Sequence, residues 1–183
     1  QAGKKGIPII LDPVGAGATT YRTKTARELM ESEAPAIIRG NASEIMALYD
    51  SQSKTKGVDS AASSDTAIHI AQKINEIHKC VVCVSGAVDY IIDKDKIIKI
   101  RNGHPMMSRV TGLGCTATAL CGAFAAVEKS YFASSAYAMA VMGIVGEMAA
   151  ETAAGPGSLQ TNFLDNLYRL SKDDIARRLR IEE

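Results

Sequence analysis

The sequence predicts an α/β fold, a largely parallel sheet covered by helices on both faces. Three observations carry this. Short apolar runs rich in β-branched residues alternate with longer stretches whose apolar residues recur at helical spacing. The runs suit strands buried on both faces rather than strands with one wet side. Finally, Asp12, Arg39 and Ser85 each fall at the end of a predicted strand, where ligands of such sheets are bound.

The elements follow in order. Ile7 to Leu11 reads as the first strand and ends at Asp12-Pro13. Val14-Gly15-Ala16-Gly17-Ala18-Thr19 is a glycine loop, and Thr23 to Glu33 is an amphipathic helix with Thr23 as its N-cap. Ala36-Ile37-Ile38 forms a second strand that ends at Arg39-Gly40-Asn41, and Ser43 to Tyr49 is helical. Residues 51–60 are polar and form a loop; Ser64 to His78 carries Ala67, Ile70, Ala71, Ile74 and Ile77 at helical spacing. Cys80 to Ser85 is a third strand, and Asp89 to Asp93 with Lys96 to Ile100 make a hairpin around Lys94-Asp95. After the loop Asn102-Gly103-His104-Pro105 come two apolar helices, Thr116 to Val127 and Tyr131 to Ala154. The segment Gly155-Pro156-Gly157-Ser158 separates these from two last helices at 159–168 and 172–180.

A length of 183 residues suits one domain with a real core. Hydrophobic residues make up 46% and charged residues 22%, a globular balance. The formal net charge of +1 is spread along the chain, which excludes a nucleic-acid patch or an acidic tail. Arg177-Arg178-Leu179-Arg180, followed by Glu182-Glu183, reads as a solvated helix end. Four scattered cysteines fit a reducing compartment, and with no visible signal peptide the expected location is cytoplasmic. Cys80 and Cys83 lie three apart on a strand, so their sulfurs face opposite sides and serve packing rather than a metal. The apolar stretch from Tyr131 holds Ser134, Ser135, Gly143, Gly146, Glu147 and Glu151, which marks a helix packed against protein rather than a membrane span. The opening Gln1 to Gly6 reads as the end of a helix and its exit loop, so the chain is expected to be a piece of a longer one.

Chemistry concentrates in Val110-Thr111-Gly112-Leu113-Gly114-Cys115. Two glycines open a helix, where free N–H groups and the helix dipole make an anion site. A cysteine in that first turn has its thiolate favoured. One short segment can therefore donate to a transferring phosphoryl group and take an alcohol proton, with Cys115 as the base. Asp12 beside the glycine loop is either a turn cap or a carboxylate for Mg²⁺. Asn41 and Glu44, three apart at a helix start, are either a cap or a support for Mg²⁺ and phosphate. Arg39 just before them can reach a nucleotide phosphate. Cys121 is core, His69 and His78 are on a solvated helix face, and His104 sits in the turn before the glycine motif.

Taken together, the segments LDPVGAGAT at 11–19, IRGNASEI at 38–45, SGAVDYIID at 85–93, NGHP at 102–105, VTGLGC at 110–115 and GPGS at 155–158 resemble the hydroxyethylthiazole kinase family of thiamin salvage, within the ribokinase-like superfamily. The cysteine matters most, because relatives in the superfamily usually carry an aspartate base there. The resemblance implies a ribokinase-like three-layer α/β/α fold, with residues 1–183 as the C-terminal portion of a single kinase domain. It implies ATP-dependent, Mg²⁺-dependent phosphorylation of the hydroxyl of 4-methyl-5-(2-hydroxyethyl)thiazole. Arg39 and Ser85 would contact ATP; the family commonly has threonine where Ser85 stands, and the hydroxyl is kept. Gly112 would contact the thiazole alcohol, Cys115 would be the base, and Thr111 to Gly114 would form the anion hole. Asp12 and Glu44 would manage Mg²⁺, supported by Asn41. The resemblance also implies a homotrimer with sites at subunit boundaries, and upstream strands and helices that complete the substrate pocket, so this piece alone is expected to be inactive. Two other readings are another ribokinase-like alcohol kinase, such as a hydroxymethylpyrimidine kinase, and a nucleotide-binding module without turnover. Cys115 and the IRGNASEI string stand against the first of these.

Overall fold

A computed structural model describes residues 1–49 and 60–183. It has three layers, helices on both faces of one six-stranded sheet whose strands lie side by side in chain order. Strands β1 (Ile10–Leu11), β2 (Ile37–Asn41) and β3 (Val81–Ser85) run parallel. From β3 onward the sheet is antiparallel, through β4 (Asp89–Asp93), β5 (Lys96–Ile100) and β6 (Ile181–Glu182). The expected hairpin forms as read, with Asp93 opposite Lys96 and Lys94 at positive φ in its turn.

Side-chain alternation divides the core into two. On one face Ile37, Val81, Cys83, Ile91 and Ile100 pack against helices α4 (Leu113–Ala125), α5 (Tyr131–Glu151) and α6 (Pro156–Arg169). On the other face Leu11, Ile38, Val82, Val84 and Ile92 pack against α1 (Thr20–Ser32), α2 (Ala42–Tyr49) and α3 (Ser60–His78). Each fully buried Ile, Leu or Phe removed from water contributes roughly 1.5–3 kcal/mol. Cys80 and Cys83 fall in opposite cores, as the strand period requires, and Cys121 is fully buried in α4.

Several boundaries differ from the sequence reading. The first strand is short: its ladder runs through Ile10 and Leu11, the Ile9 carbonyl accepts the Ala36 N–H at 2.8 Å, and Pro8 has no N–H to extend it. Helix α1 begins one turn before Thr23: its cap is Thr19, whose hydroxyl accepts the Arg22 N–H at 3.2 Å. Thr23 instead takes the Gly17 N–H at 2.8 Å and closes the glycine loop. Helix α3 starts at Ser60; the predicted loop at 51–60 otherwise lies outside the described residues. Helix α4 starts at Leu113, directly after Gly112 at φ +93°, and so contains Gly114 and Cys115. Helix α6 begins at Pro156, the favoured place for proline in a first turn. The last helix, α7 (Lys172–Arg178), stops early and leads into β6, which the sequence reading lacked.

The basic C-terminal run is more than a solvated helix end. Arg178 pairs with Glu151 at 2.6 Å, and Arg180 bonds Glu147 and the Arg101 carbonyl. Buried Asn102 donates to Glu147 and to the Arg178 carbonyl, and accepts the Arg180 N–H. These bonds fasten β6 beside β5. Helix α5 is long and apolar enough to cross a membrane by composition, yet it is mostly buried inside the protein. Its small residues are used within the chain: Gly143 packs on the Asn102 backbone and Gly146 on the Met107 thioether.

Candidate active site

The ladder registers bring four polar side chains to one edge of the sheet. Asn41 of β2 lies opposite Ser85 of β3, so the carboxyl ends of the parallel strands coincide. Asp12 follows β1, and Asp89 opens β4 at the same edge, since Tyr90 pairs with Val84. Alternation from Ile10, Ile37, Val81 and Ile91, all on the α4–α5 face, puts Asp12, Arg39, Ser85 and Asp89 on that face too. The start of α4 meets them there.

Arg39 is the centre of this edge. It is 9% exposed, and its guanidinium joins three elements. Nη1 donates to the Gly114 carbonyl of α4 at 3.2 Å, and Nη2 donates to Ser85 Oγ at 2.7 Å. Ser85 passes its own proton to the Gly40 carbonyl at 3.3 Å. Asp12 Oδ2 lies 3.8 Å from Nη1, an ion pair beyond hydrogen-bond reach. The Nε–H of Arg39 is buried and has no hydrogen-bond partner. A Cβ on Gly114 would come within 3.0 Å of Nη1, so this glycine leaves room for the guanidinium.

Asp12 is held from another side. Thr118, one turn beyond Gly114 in α4, donates its hydroxyl to Asp12 Oδ2 at 2.6 Å. Burial pushes the Asp12 carboxyl above its ordinary value, against the pull of the Thr118 bond and the Arg39 charge, and with a further push from the Glu44 carboxylate. Asp89 is pushed up to about 7 by burial, opposed by the Gly86 N–H bond at 2.9 Å and by Arg39.

Asn41 and Glu44 form the cap that the spacing allowed. Asn41 Oδ1 accepts the Glu44 N–H at 2.9 Å, and Glu44 Oε2 accepts the Asn41 N–H at 2.9 Å. Glu44 Oε1 also accepts the Gly15 N–H at 2.9 Å, tying the glycine loop to the start of α2. Each carboxylate oxygen keeps a lone pair after these bonds. Among the described residues no group of three acidic, histidine or cysteine side chains surrounds a metal position.

Thr111, Gly112 and Cys115 are exposed at the head of α4. Gly112 takes the left-handed conformation that lets the chain turn into the helix. The arrangement therefore brings Asp12, Arg39, Ser85 and Gly114 into one bonded network, with Asn41 and Glu44 beside it. Cys115 and Gly112 are exposed at the head of α4 and make no hydrogen bond to this network. His104 caps the short turn Pro105–Arg109 by accepting the Met106 N–H at 3.2 Å. His69 is exposed and His78 partly so.

Sequence reasoning missed Thr118 and Asp89. A signal for Thr118 existed: it lies three residues after Cys115 and four after Gly114, on the same helix face. Asp89 offered only its place at the start of a strand. On the α1–α2 side an open cleft of about 1300 Å³ adjoins this edge, lined by the glycine loop, Lys24, Glu28, Asn41 and Glu44.

Comparison with known proteins shows the family of this chain. Residues 1–173 match the Hydroxyethylthiazole kinase family. The hydroxyethylthiazole kinase of Syntrophus aciditrophicus (strain SB) is 60% identical over 182 residues, covering 99% of this chain and 67% of that protein. The same-named enzyme of Nitratidesulfovibrio vulgaris is 51% identical, covering 98% of this chain and 67% of its own length. Among solved structures, hydroxyethylthiazole kinase from Pyrococcus horikoshii OT3 superposes with a TM-score of 0.86 at 35% identity, over 99% of this chain and 67% of that one. A ribokinase-like protein from Enterococcus faecalis V583 has a TM-score of 0.62 at 12% identity, over 88% of this chain and 52% of its own, a likeness of fold alone.

Proposed function

We propose that this chain, which belongs to the hydroxyethylthiazole kinase family, carries the catalytic edge of an ATP-dependent kinase for the hydroxyl of 4-methyl-5-(2-hydroxyethyl)thiazole in thiamin salvage. The observation that carries this reading is the Arg39 network: one guanidinium joins the strand-end hydroxyl of Ser85, the head of α4 at Gly114 and the charge of Asp12. Phosphoryl transfer asks the protein mainly for positioning and for charge stabilisation. A buried cation with an unpartnered Nε–H, set beside a helix start, supplies both.

In this reading Arg39 and Ser85 hold the nucleotide, with Asn41 nearby. The N–H groups of the first turn, from Thr111 to Gly114, receive the transferring phosphoryl oxygens. Gly112 lies against the substrate alcohol. Cys115, exposed at the third position of α4, accepts the alcohol proton. Asp12 and Glu44 repel one another, and each retains free lone pairs. That donor set suits Mg²⁺ bound largely through water and shared with substrate phosphates. When bound, Mg²⁺ would neutralise charge on the phosphates, and Asp12 and Glu44 would be the residues that hold it.

The reading places residues 1–183 as the C-terminal portion of a single ribokinase-like domain, in a cytoplasmic homotrimer whose subunits meet at the active sites. The test is Mg²⁺- and ATP-dependent phosphorylation of hydroxyethylthiazole by the complete natural polypeptide, with hydroxymethylpyrimidine as the competing alcohol. Turnover of the thiazole is expected. Turnover of the pyrimidine alone, or of neither by a folded sample, would overturn the assignment.

A further inference from the structure

We infer that Thr118 is a positioning residue for Asp12, and that its hydroxyl, rather than the Arg39 guanidinium, fixes the carboxylate at the head of α4. The inference rests on the kinase reading above for its catalytic consequence, though not for its geometry.

Threonine inside a helix ordinarily returns its proton to the carbonyl one turn back. Thr118 Oγ1 lies 3.3 Å from the Gly114 carbonyl and 2.6 Å from Asp12 Oδ2. It has one proton to give, and the shorter, charge-assisted bond takes it. The contact joins residues 106 positions apart and so fixes the end of β1 against the first turns of α4. Those two elements carry the acid and the thiol of the proposed reaction. Residues 115 and 118 share a helix face, so the bond that holds Asp12 also sets where Cys115 stands relative to it.

The Arg39 geometry supports the same conclusion. An unrestrained arginine–carboxylate pair closes to roughly 2.7–2.9 Å, often with two parallel bonds. Here the approach stops at 3.8 Å, although the Arg39 Nε–H is buried without a partner. Nη1 and Nη2 are engaged by Gly114 and Ser85, and Oδ2 is engaged by Thr118. Thr118 thus keeps the carboxylate off the guanidinium. Each remains available, Asp12 for a hard cation and Arg39 for phosphate.

The test uses the complete natural polypeptide carrying Thr118→Val, which keeps shape and removes the proton donor, with Thr118→Ala as the alternative if valine prevents folding. Two readouts are taken. In a crystal structure of the variant, Asp12 is expected to close on Arg39 to about 3.0 Å. In kinetics, kcat is expected to fall roughly 10- to 100-fold, the size expected from a catalytic group misplaced by about 1 Å. The KM for ATP should stay within about threefold, because Arg39 keeps Gly114 and Ser85, and Thr118→Ser should restore kcat. In an Asp12→Asn background Thr118→Val should add less than about twofold, since the group it positions is already altered. An Asp12 carboxylate that stays at its present distance overturns the role of Thr118 whatever the activity. An inactive wild-type enzyme overturns the kinase reading and leaves the structural readout decisive for Thr118.

Discussion

Asp89→Asn tests how the edge of the sheet tolerates a buried acid. Asp89 is 7% exposed and sits on the α4–α5 face with Arg39 and Ser85. Burial raises its carboxyl to about 7, while the unfolded chain titrates near the ordinary 3.8. Between those two pH values the folded protein holds a proton that the unfolded chain has lost. Stability therefore falls as pH rises through this window, and the loss is complete above about 7. The interval from 3.8 to 7, at about 1.4 kcal/mol per pH unit, amounts to about 4 kcal/mol. Asparagine cannot titrate, and its amide oxygen can still accept the Gly86 N–H that Asp89 Oδ1 now takes at 2.9 Å.

Urea unfolding of both proteins at pH 5, 6, 7, 8 and 9 measures the effect. The advantage of the asparagine variant should grow by about 3 kcal/mol between pH 5 and pH 8 and then level off. Taking the difference between the two proteins removes the contribution of every other titrating group. A difference that is flat across this range would refute the argument. A flat difference is what results if Arg39 outweighs burial, because the carboxyl is then already charged at pH 5 in both states.

Three more outcomes follow from the geometry. Cys115→Ala should lower kcat by about 10²–10⁴-fold with an unchanged KM for ATP in steady-state assays, as expected when a base is lost and nucleotide contacts are kept. Gly114→Ala places a Cβ at 3.0 Å from Arg39 Nη1. The guanidinium must give way, so ATP KM should rise by roughly tenfold, the equivalent of about one charge-assisted hydrogen bond, and nucleotide titration would detect it. Gly143→Ala drives a Cβ to 2.6 Å from the Asn102 backbone. This overpacking should cost about 1–3 kcal/mol in urea unfolding, and unchanged stability would show that α5 can shift away from the Asn102 loop.

The sheet was readable from sequence because its strands are buried on both faces. Ile37-Ile38, Val81 to Val84 and Ile91-Ile92 carry apolar residues on successive positions, and each position has a core to enter. β6 had no such signal. Ile181 and Glu182 are exposed, and the strand exists because Arg101 pairs with Glu182 and Glu147 holds Arg180, contacts made across more than 30 residues. The start of α1 was unreadable for a different reason. Thr19 and Thr23 are equally good caps, and the choice was made by the glycine loop, whose Gly17 N–H claimed the hydroxyl of Thr23.

The candidate site divides along the same line. Asp12, Arg39 and Ser85 follow from where the apolar runs stop, although β2 continues two residues past Arg39 to Asn41, and position along a strand is a local property of the chain. Which of them bond to one another is a property of the assembled layers. Asn41 and Glu44 could serve as a cap or as a phosphate support on spacing alone, and the fold gives them the cap while leaving Glu44 free lone pairs. Thr118 looked like one more residue of an apolar helix until α4 was laid across the end of β1. The parity of each strand then decides membership. Asp12, Arg39, Ser85 and Asp89 lie an even number of residues from Ile10, Ile37, Val81 and Ile91, which all enter the α4–α5 core. A strand one residue longer or shorter would have turned its terminal side chain toward α1–α3 and away from Cys115. The strand lengths therefore constrain the chemistry as closely as the identities of the residues that end them.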